Sequence, residues 1–489
     1  MPDKPTRLFG RDTEWRELTE FAASSQLGAT LGLVYGRRRQ GKTLLLELLA
    51  RETGGFLFAA TQQTEAQNLA DFGAAYAAFR GERQPTLFSS WRQALDELLR
   101  FGEQAPLPVI IDEFPYLSAA TPALPSYLQQ ALSPLSFAKE STRTRLILCG
   151  SALSTMSQLL GGGAPLRGRA TLELVVRPFG FREAAGFWGL DHDPELAFQV
   201  NALVGGTPAY LEMCGGAGPA SAGELPAWAA RRLLNPASAM FREGSLLLRE
   251  ESSISDPTSY AATLAALAAG ARRRSEIAAT LGRPSSALGH LLSGLQDIGL
   301  ITRIDDALHE KRSVFVIAEP VIRLYQLLIA RHEPELVAGR AQRVWSGNTD
   351  TIDSGILGPH FEHLARTWCF EHASEATLGG WATHVRPAKI ACREHKQGHE
   401  LDVVVTESNA YQADRITAIG EAKGTGSPMD IAHLERLEHL RGLLPSAKVN
   451  STPKLLLFAR SGFTPVLADL AARRADVELV DMDRLYRGE

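Results

Sequence analysis

The sequence predicts an α/β protein whose N-terminal part is a doubly wound parallel sheet with helices on both faces. Two observations predict this fold: short apolar runs suited to buried strands recur along the chain, and segments of helical periodicity separate them. Strands that alternate with helices form parallel sheets, because each helix carries the chain back to start the next strand in the same direction. The apolar runs are Leu31–Tyr35, Gly55–Ala59, Leu107–Ile111, Arg145–Cys149 and Leu172–Val176.

Length and composition limit the classes of protein to consider. A chain of 489 residues suggests about three domains, and its 45% hydrophobic content is that of a globular protein with buried cores. The net charge of −4 gives no overall attraction to nucleic acid, so such contacts must use local basic patches. No N-terminal signal is evident and no run approaches the roughly 18 apolar residues of a membrane helix. We therefore expect a cytoplasmic protein with no membrane partner.

The cysteines are widely spaced along the chain. Because no C-x-x-C pair is present, the sequence indicates neither a zinc knuckle nor a disulfide framework. We expect reduced thiols at Cys149, Cys214, Cys369 and Cys392.

The segment after the first predicted strand matches the phosphate-binding P-loop pattern G-x-x-x-x-G-K-[ST]. Gly36 and Gly41 allow backbone angles that a Cβ disfavours, so successive N–H groups can face a phosphate chain at the positive end of the next helix. Lys42 would reach the β- and γ-phosphates, and Thr43 would place its hydroxyl on Mg²⁺. The pattern predicts an ATP site formed by Gly36, Arg37, Arg38, Arg39, Gln40, Gly41, Lys42 and Thr43.

A helix is predicted before this loop, with Asp12 as its cap and Trp15 and Leu18 on its apolar side. Phe9-Gly10-Arg11 precedes the helix and could contact the adenine. The alternative, which spacing alone favours, is a helix that only begins the domain. Further along, residues 65–101 have helical spacing of large apolar residues, which we interpret as core packing.

Two carboxylates follow the apolar strand Leu107–Ile111, in the arrangement called Walker B. Asp112, at the end of the strand, would hold Mg²⁺, and Glu113 would orient or deprotonate the attacking water. Ser151 follows the next strand, where a polar side chain can sense the γ-phosphate or that water. The alternative for Ser151 is a helix cap.

A Gly-rich cationic loop follows, at residues 161–169. Arg167 or Arg169 could act on the nucleotide of a neighbouring subunit or touch nucleic acid, and a solvated loop is the alternative. The first of these uses requires a homo-oligomer, which the sequence leaves open. Together these features assign residues 1–180 to a P-loop ATPase core.

The middle of the chain changes character twice. Residues 181–255 are mostly helical and could form a lid over the nucleotide. Residues 256–335 show a helix, a helix–turn–helix and a hairpin, which is a winged-helix pattern. Its third helix, Ser285–Ile298, would be the DNA reader, with Arg272–Arg274 and Lys311-Arg312 near phosphates. That helix has few base-reading groups, so DNA contact and structural packing stay equally open.

Residues 345–489 contain a second constellation of polar side chains. Glu421 and Lys423 lie two apart on a predicted strand, so they share a face, and Asp402 on the neighbouring antiparallel strand can face the same spot. The two carboxylates suit one or two Mg²⁺ ions, or Mn²⁺, which would polarise a phosphodiester and activate a water that Lys423 positions. Glu362, on the preceding helix, could add a metal ligand. This is the PD-(D/E)xK nuclease arrangement, in the α-β-β-β-α-β order expected for it.

Together the motifs resemble the archaeal-type P-loop ATPases, found in archaea and bacteria, of the AAA+/STAND assemblage. The resemblance spans nearly the whole chain, and it implies ATP binding, a helical lid, a winged helix and a C-terminal PD-(D/E)xK restriction-endonuclease-like domain. Gln40 stands where a small or β-branched residue is usual in the family. The motifs are Phe9-Gly10-Arg11, GRRRQGKT, VIIDEFPYL, CGSALSTM, GGTPAYL and LDVVV…GEAK.

Three functions fit these observations. The first is an ATP-hydrolysing protein that acts on DNA and cleaves it with a metal-dependent C-terminal domain, in repair, mobile-element handling or defence. The second is a STAND-type nucleotide switch without cleavage. The third is a DNA-binding regulator whose nuclease fold is inactive.

Overall fold

The structure is a computed structural model, and it describes residues 2–151, 153–159, 161, 163–251, 254, 256–309, 312–392, 397–409, 412–449 and 451–489. The chain folds into two compact units. The first unit comprises Met1–Pro178, Thr207–Ala209 and Glu251–Ser255. The second comprises Phe179–Gly206, Tyr210–Glu250 and Asp256–Glu489.

The first unit is built on a parallel sheet. Its strands are β1 (Thr30–Tyr35), β2 (Phe56–Ala59), β3 (Leu107–Asp112), β4 (Thr144–Gly150) and β5 (Ala170–Val175), in the spatial order β2-β3-β4-β1-β5. Its helices are α1 (Asp12–Ala23), α2 (Lys42–Thr53), α3 (Glu65–Phe79), α4 (Trp91–Leu99), α5 (Phe114–Ala120), α6 (Leu124–Ala131), α7 (Phe137–Ser141) and α8 (Leu153–Gln158), with a 3-10 turn at Arg100–Gly102.

Alternation along the strands gives this sheet two buried faces. Val34 and Ile110 point to one face, where they pack with Leu18 of α1 and Leu49 of α2. The flanking strand residues point to the other face and pack against α3, α4 and α5. Helices therefore cover both sides, which confirms the predicted α/β class and its parallel sheet.

Two local predictions in this unit are corrected. The segment 65–101 is not one continuous helix, because α3 ends before Gly81, whose φ of +72° is left-handed, and α4 starts again after the capping hydroxyl of Ser90. Asp12 is the first residue of α1 rather than its cap: Arg11 occupies the cap position, and the Asp12 carboxylate pairs with Lys4 at 2.6 Å.

The second unit contains a mixed sheet, a hairpin and many short helices. Its strands are β6 (Ile301–Asp305), β7 (Ser313–Ile317), β8 (His384–Cys392), β9 (Gln397–Asn409), β10 (Gln412–Lys423), β11 (Lys454–Ala459) and β12 (Val477–Val480). Its helices are α9 (Phe181–Phe187), α10 (Pro194–Val204), α11 (Ala209–Met213), α12 (Leu225–Arg232), α13 (Met240–Arg249), α14 (Pro257–Ala268), α15 (Arg274–Thr280), α16 (Leu288–Asp297), α17 (Pro320–Leu324), α18 (Ala330–Val337), α19 (Ala341–Gly347), α20 (Thr349–Thr351), α21 (Gly358–Glu371), α22 (Glu375–Leu378), α23 (Ile431–Gly442), α24 (Pro465–Ala471) and α25 (Met482–Arg487). Single 3-10 or π turns lie at Ser285–Ala287, Tyr325–Ile329, Ile352–Leu357 and Ser446–Lys448.

The mixed sheet has the spatial order β12-β11-β10-β9-β8. Strands β10, β11 and β12 run parallel, whereas β9 is antiparallel to both β8 and β10. Helix α21 packs on one face and α23 on the other. The predicted α-β-β-β-α-β order is present as α21, β8, β9, β10, α23 and β11, with the short helix α22 between α21 and β8. Nuclease activity does not follow from this order and is considered below.

The hairpin β6–β7 follows α14, α15 and α16, and its tip contacts the mixed sheet. The Asp306 carboxylate accepts a hydrogen bond from Lys389 N at 3.0 Å, and Ala307 N donates to Pro387 O at 3.0 Å. Lys448 Nζ donates to Ala307 O at 3.2 Å. These contacts commit part of the hairpin to packing. Lys311, one of the predicted phosphate contacts, lies outside the described residues.

The predicted lid, α21 and one face of the mixed sheet share a hydrophobic core. Phe198 of α10 contacts Phe361 of α21, and Trp368 of α21 contacts Phe458 of β11, each pair meeting edge to face. A shared core holds the segments 181–250 and 345–489 in one compact unit. Across the described part of the chain, none of the helices has both the length and the apolar character that a membrane crossing requires.

Candidate functional site

The P-loop lies where β1 ends and α2 begins, at the carboxyl edge of the parallel sheet. A Cβ on Gly36 would lie 2.2 Å from the Val176 carbonyl oxygen, so only glycine fits this exit from β1. Arg39 and Gly41 both have left-handed backbone angles, with φ of +70° and +82°. The loop therefore turns sharply and presents its N–H groups at the start of α2.

Lys42 folds back into this loop. Its ammonium donates to Gly36 O and to Arg37 O, each at 2.8 Å, and the residue is buried. Burial lowers the pKa of Lys42, while the acidic groups of Glu113 and Asp112 act in the opposite direction. The Lys42 ammonium is thus a desolvated cation that lies beside the N–H groups of the loop.

The predicted Mg²⁺ ligands of the loop and of β3 meet. Thr43 Oγ1 donates to Asp112 Oδ2 at 2.9 Å, and Glu113 N donates to Asp112 Oδ1 at 2.9 Å. Both Thr43 and Asp112 offer oxygen ligands, which Mg²⁺ prefers. The strand order causes this meeting, since β4 alone separates β1 from β3.

Glu113 and Ser151 also meet. Glu113 has a left-handed backbone, with φ of +51°, at the sharp turn between β3 and α5. The Ser151 hydroxyl, directly after β4, donates to the Glu113 carboxylate at 3.1 and 3.2 Å. Ser151 therefore orients Glu113, a contact that the sequence did not predict.

Sequence reasoning missed three other contacts of the loop. Gln40 Nε2 donates to Thr207 Oγ1 at 3.1 Å, and both residues are buried. Arg38 Nη2 donates to the Tyr116 hydroxyl at 3.0 Å. Arg11 Nη2 donates to Gln40 O at 3.0 Å, so Arg11 contacts the loop backbone. Gln40 is a polar residue at a position where a small or β-branched residue was expected. This departure was the feature of the sequence that could have indicated the contact with Thr207.

The two arginines of the cationic loop at residues 161–169 differ in their surroundings. Arg169 Nη1 donates to Leu132 O at 2.8 Å, which commits one donor of this guanidinium to packing within the first unit. Arg167 is exposed. The arginine-finger role of either residue stays a prediction.

In the second unit, β9 and β10 bring the predicted carboxylates together. Gly420 is opposite Val403, so the next residues, Glu421 and Asp402, are neighbours across the two strands. Asp402 Oδ2 accepts a hydrogen bond from Ala422 N at 2.9 Å. Burial, followed by the negative charge of Glu362 on α21, raises the pKa of Asp402 from 3.8 to about 7. The charges of Glu362 and Glu421 therefore both act on Asp402.

Basic side chains already contact two predicted members of this cluster. Arg436 of α23 forms an ion pair with Glu421, and Lys423 Nζ lies 3.0 Å from His433 Nε2. His433 Nδ1 is in turn 2.6 Å from Asp430 Oδ1. Helix α23 therefore supplies the charge that balances Glu421.

Three arginines gather around the cluster from other elements. Arg366 Nη1 donates to the Asp402 carbonyl oxygen at 2.8 Å. Burial and the Arg272 charge lower the pKa of Arg323 to about 10, while Glu362 acts in the opposite direction. This mixture of acids and cations is the pattern expected where a phosphate group is bound near metal ligands.

Comparison with known proteins gives one similar curated sequence and several similar folds. No protein-family model matches the chain. The chain is 27% identical over 321 residues to Uncharacterized protein MJECL04 of Methanocaldococcus jannaschii, covering 64% of this chain and 67% of that one.

Three archaeal proteins are among the solved structures that resemble the chain. The Walker-type ATPase paby2304 of Pyrococcus abyssi matches with a TM-score of 0.49 and 22% identity, over 67% of this chain and 98% of that one. The ORC2 protein of Aeropyrum pernix, as ADPNP-ADP complexes, gives a TM-score of 0.42 and 14% identity over 72% and 96% of the two chains. The Aeropyrum pernix ORC1 protein in complex with DNA gives 0.33 and 16% over 68% and 95%.

The first unit of this chain is thus an α/β unit with a parallel sheet and a P-loop at its carboxyl edge. The second unit holds a mixed sheet with an acidic cluster.

Proposed function

We propose that the chain binds and hydrolyses ATP in its first unit and acts on DNA through its second, where the acidic cluster cleaves phosphodiester bonds. The observation that carries the proposal is the 2.9 Å contact between Thr43 Oγ1 and Asp112 Oδ2. It joins a P-loop hydroxyl to a strand-end carboxylate, which is the ligand pair that holds Mg²⁺ beside bound phosphates. The chain is then an archaeal-type P-loop ATPase of the AAA+/STAND assemblage.

In the first unit each polar residue has a distinct role. The loop N–H groups and Lys42 bind the phosphates, and Thr43 with Asp112 would hold Mg²⁺, which supplies charge neutralisation when bound. Glu113 takes a proton from the attacking water, and Ser151 keeps its carboxylate in place through the two contacts described above.

In the second unit the oxygen donors fit a hard divalent cation. Asp402, Glu421 and Glu362 would hold Mg²⁺ or Mn²⁺, which supplies a polarised phosphodiester and an acidic water when bound. Lys423 positions the water, and Arg366 with its neighbouring arginines attracts the DNA backbone. The raised pKa of Asp402, which burial causes first and the negative charge of Glu362 second, supports this assignment, because a bound cation would stabilise the buried negative charge.

ATP hydrolysis is tested with variants of the first unit. We expect Lys42→Ala to weaken ATP binding and Glu113→Gln to lower turnover about 10²- to 10⁴-fold while ATP still binds. Glu140→Gln, at an exposed glutamate of the same unit, is the matched control. Turnover by Glu113→Gln at the wild-type rate would place the base elsewhere.

DNA cleavage is tested on duplex and single-stranded DNA with Mg²⁺ or Mn²⁺, with and without ATP. We expect Lys423→Ala and Asp402→Asn to abolish cleavage and to leave ATP turnover unchanged, because both residues lie in the second unit. The control is Asp469→Asn, an exposed carboxylate of that unit. Cleavage that survives Lys423→Ala would contradict the assignment.

One observation favours the second candidate, a nucleotide switch or DNA-binding regulator with an inactive nuclease fold. Arg436 pairs with Glu421 and His433 contacts Lys423, so protein partners already engage two of the proposed catalytic groups. ATP turnover with no cleavage under any condition would support this candidate.

The proposal includes the domain division 1–180 for the ATPase core, 181–255 for the lid, 256–335 for the winged helix and 345–489 for the nuclease-like domain. It also includes a cytoplasmic location. Arg167 or Arg169 would reach the nucleotide of a neighbouring subunit only if the chain assembles into a homo-oligomer. Sedimentation with and without ATP tests that assembly.

A further inference from the structure

A second group of metal-binding side chains lies away from the acidic cluster, where β8, β9 and α23 meet. Cys392, His399 and His439 each offer one donor atom, and the three atoms all lie within 4.8 Å of one another. Cys392 Sγ is 3.5 Å from His439 Nε2, and the two imidazole rings stand nearly perpendicular at 82°. Thiolate and imidazole donors at such distances are typical of a zinc site.

The fold explains why residues far apart in sequence meet here. Ile390 is opposite His399 in the β8–β9 ladder, so His399 shares a face with Ile390 and with Cys392, two residues further along β8. That face packs against α23, which carries His439. Cys392 is buried and both histidines are half-buried, so the site has both an apolar wall and an approach for an ion.

The distances fit tetrahedral zinc. With Zn–S near 2.3 Å and Zn–N near 2.0–2.1 Å, tetrahedral geometry separates a sulfur and a nitrogen ligand by about 3.6 Å. The distance of 3.5 Å between Cys392 Sγ and His439 Nε2 is close to this value. Mg²⁺ prefers oxygen ligands and does not suit a thiolate–imidazole set.

We propose that Cys392, His399 and His439 bind one Zn²⁺ ion, with the fourth position open to water or another donor. On binding, the Cys392 thiol releases its proton to solvent and the sulfur forms a bond to the metal, so affinity rises with pH. The ion ties the β8–β9 hairpin to α23. The same helix carries Arg436, three residues before His439, and His433, six residues before it, so the zinc holds the helix that contacts Lys423 and Glu421.

The test uses the full chain, purified without a polyhistidine tag. Metal analysis is expected to give about one zinc per chain. After chelation, Co²⁺ is titrated in excess Mg²⁺, which occupies the oxygen-ligand sites. We expect a thiolate-to-cobalt charge-transfer band and the strong visible bands of tetrahedral Co²⁺, which oxygen ligands do not produce. Addition of Zn²⁺ then removes these bands.

Cys392→Ser and His439→Asn are expected to remove the charge-transfer band or to weaken Co²⁺ binding at least about tenfold. His192→Asn, an exposed histidine of the same unit, is the control and keeps the wild-type spectrum. If the variants fail to fold, the Co²⁺ titration of the wild-type chain still tests whether the site binds a metal ion. No charge-transfer band in the wild type means a thiol–imidazole hydrogen bond only, and that result overturns the proposal whether or not ATP turnover and DNA cleavage are found.

Discussion

At Asp402 the fold holds a carboxylate where its negative charge is unfavourable. Its pKa in the folded chain is about 7, against an ordinary value of 3.8. The folded state therefore binds more protons than the unfolded state between these values, and metal-free stability falls as pH rises from about 4 to about 7. Asn carries no such charge. We expect Asp402→Asn to stabilise the second unit at pH 8 by up to about 4 kcal/mol and to have little effect at pH 4.

Thermal unfolding in a chelator, scanned across pH, measures this difference. Asp469→Asn is the control, because that carboxylate is exposed. Equal melting temperatures for wild type and Asp402→Asn at pH 8 would show that the Asp402 charge is not destabilising. Saturating Mg²⁺ should raise the melting temperature of the wild type and not that of the variant.

Gly36 shows how one missing Cβ shapes the P-loop. Alanine there would place a carbon 2.2 Å from the Val176 carbonyl oxygen, and backbone at that distance cannot be avoided by a rotamer change. We expect Gly36→Ala to destabilise the first unit by about 1–3 kcal/mol and to shift the loop away from its binding shape. Fluorescent ATP-analogue binding should weaken at least about tenfold, which is about 1.4 kcal/mol. Gly163→Ala, which meets nothing within 4 Å, should bind normally.

Residue patterns in sequence predicted the polar groups of each site but not all of their partners. The spacing of Lys42, Thr43 and Asp112 reports the fold directly, because Lys42 and Thr43 begin the helix after β1 and Asp112 ends β3 of the same sheet. Thr207 could not be found in this way. It lies 167 positions from Gln40, and only tertiary packing brings its hydroxyl to the loop.

At the level of elements, the Asp306 side chain makes several of the contacts that hold the β6–β7 tip. Asp306 accepts hydrogen bonds from Leu308 N at 2.8 Å, His309 N at 2.9 Å and Lys389 N at 3.0 Å. We expect Asp306→Ala to remove the acceptor of these part-buried and exposed donors, to cost about 1 kcal/mol and to loosen the tip from β8. Faster hydrogen exchange at the Lys389 amide would report this release, and Asp469→Ala serves as its control. Unchanged exchange would mean that the tip is held by other contacts.

Helices and strands were predicted correctly where the periodicity of apolar residues was strong. They were mispredicted where a single residue determines where a helix ends. Strands β1, β3 and β4 were found because each is a largely apolar run buried on both sides, whereas β2 and β5 are only partly buried. The segment 65–101 kept helical spacing of apolar residues across its break, so periodicity alone could not locate the turn at Gly81. The cysteine pattern likewise showed no metal motif, since His399 and His439, which lie beside Cys392, come from another strand and from a helix.

At the scale of the whole molecule, the chain passes several times between its two units. Thr207–Ala209 belongs to the first unit, whereas the residues on either side, Gly206 and Tyr210, belong to the second. Within the first unit, Gln40 donates to the Thr207 hydroxyl and Arg39 O accepts from Ala209 N at 3.4 Å. In the proposed function, a change of P-loop shape on ATP binding would act on a segment that is covalently continuous with α10 and α11.

We expect Thr207→Ala to separate ATP binding from its effect on the second unit. The variant removes the acceptor of Gln40 but no proposed phosphate contact, so ATP affinity should change little. The ATP-induced change in hydrogen exchange at α10–α13, and any ATP stimulation of DNA cleavage, should fall about 5- to 100-fold, the size of a typical coupling. Thr171→Ala, on β5, is the control. Since hydrogen exchange needs no cleavage, a full ATP effect in Thr207→Ala would exclude this route even for a chain that cuts no DNA.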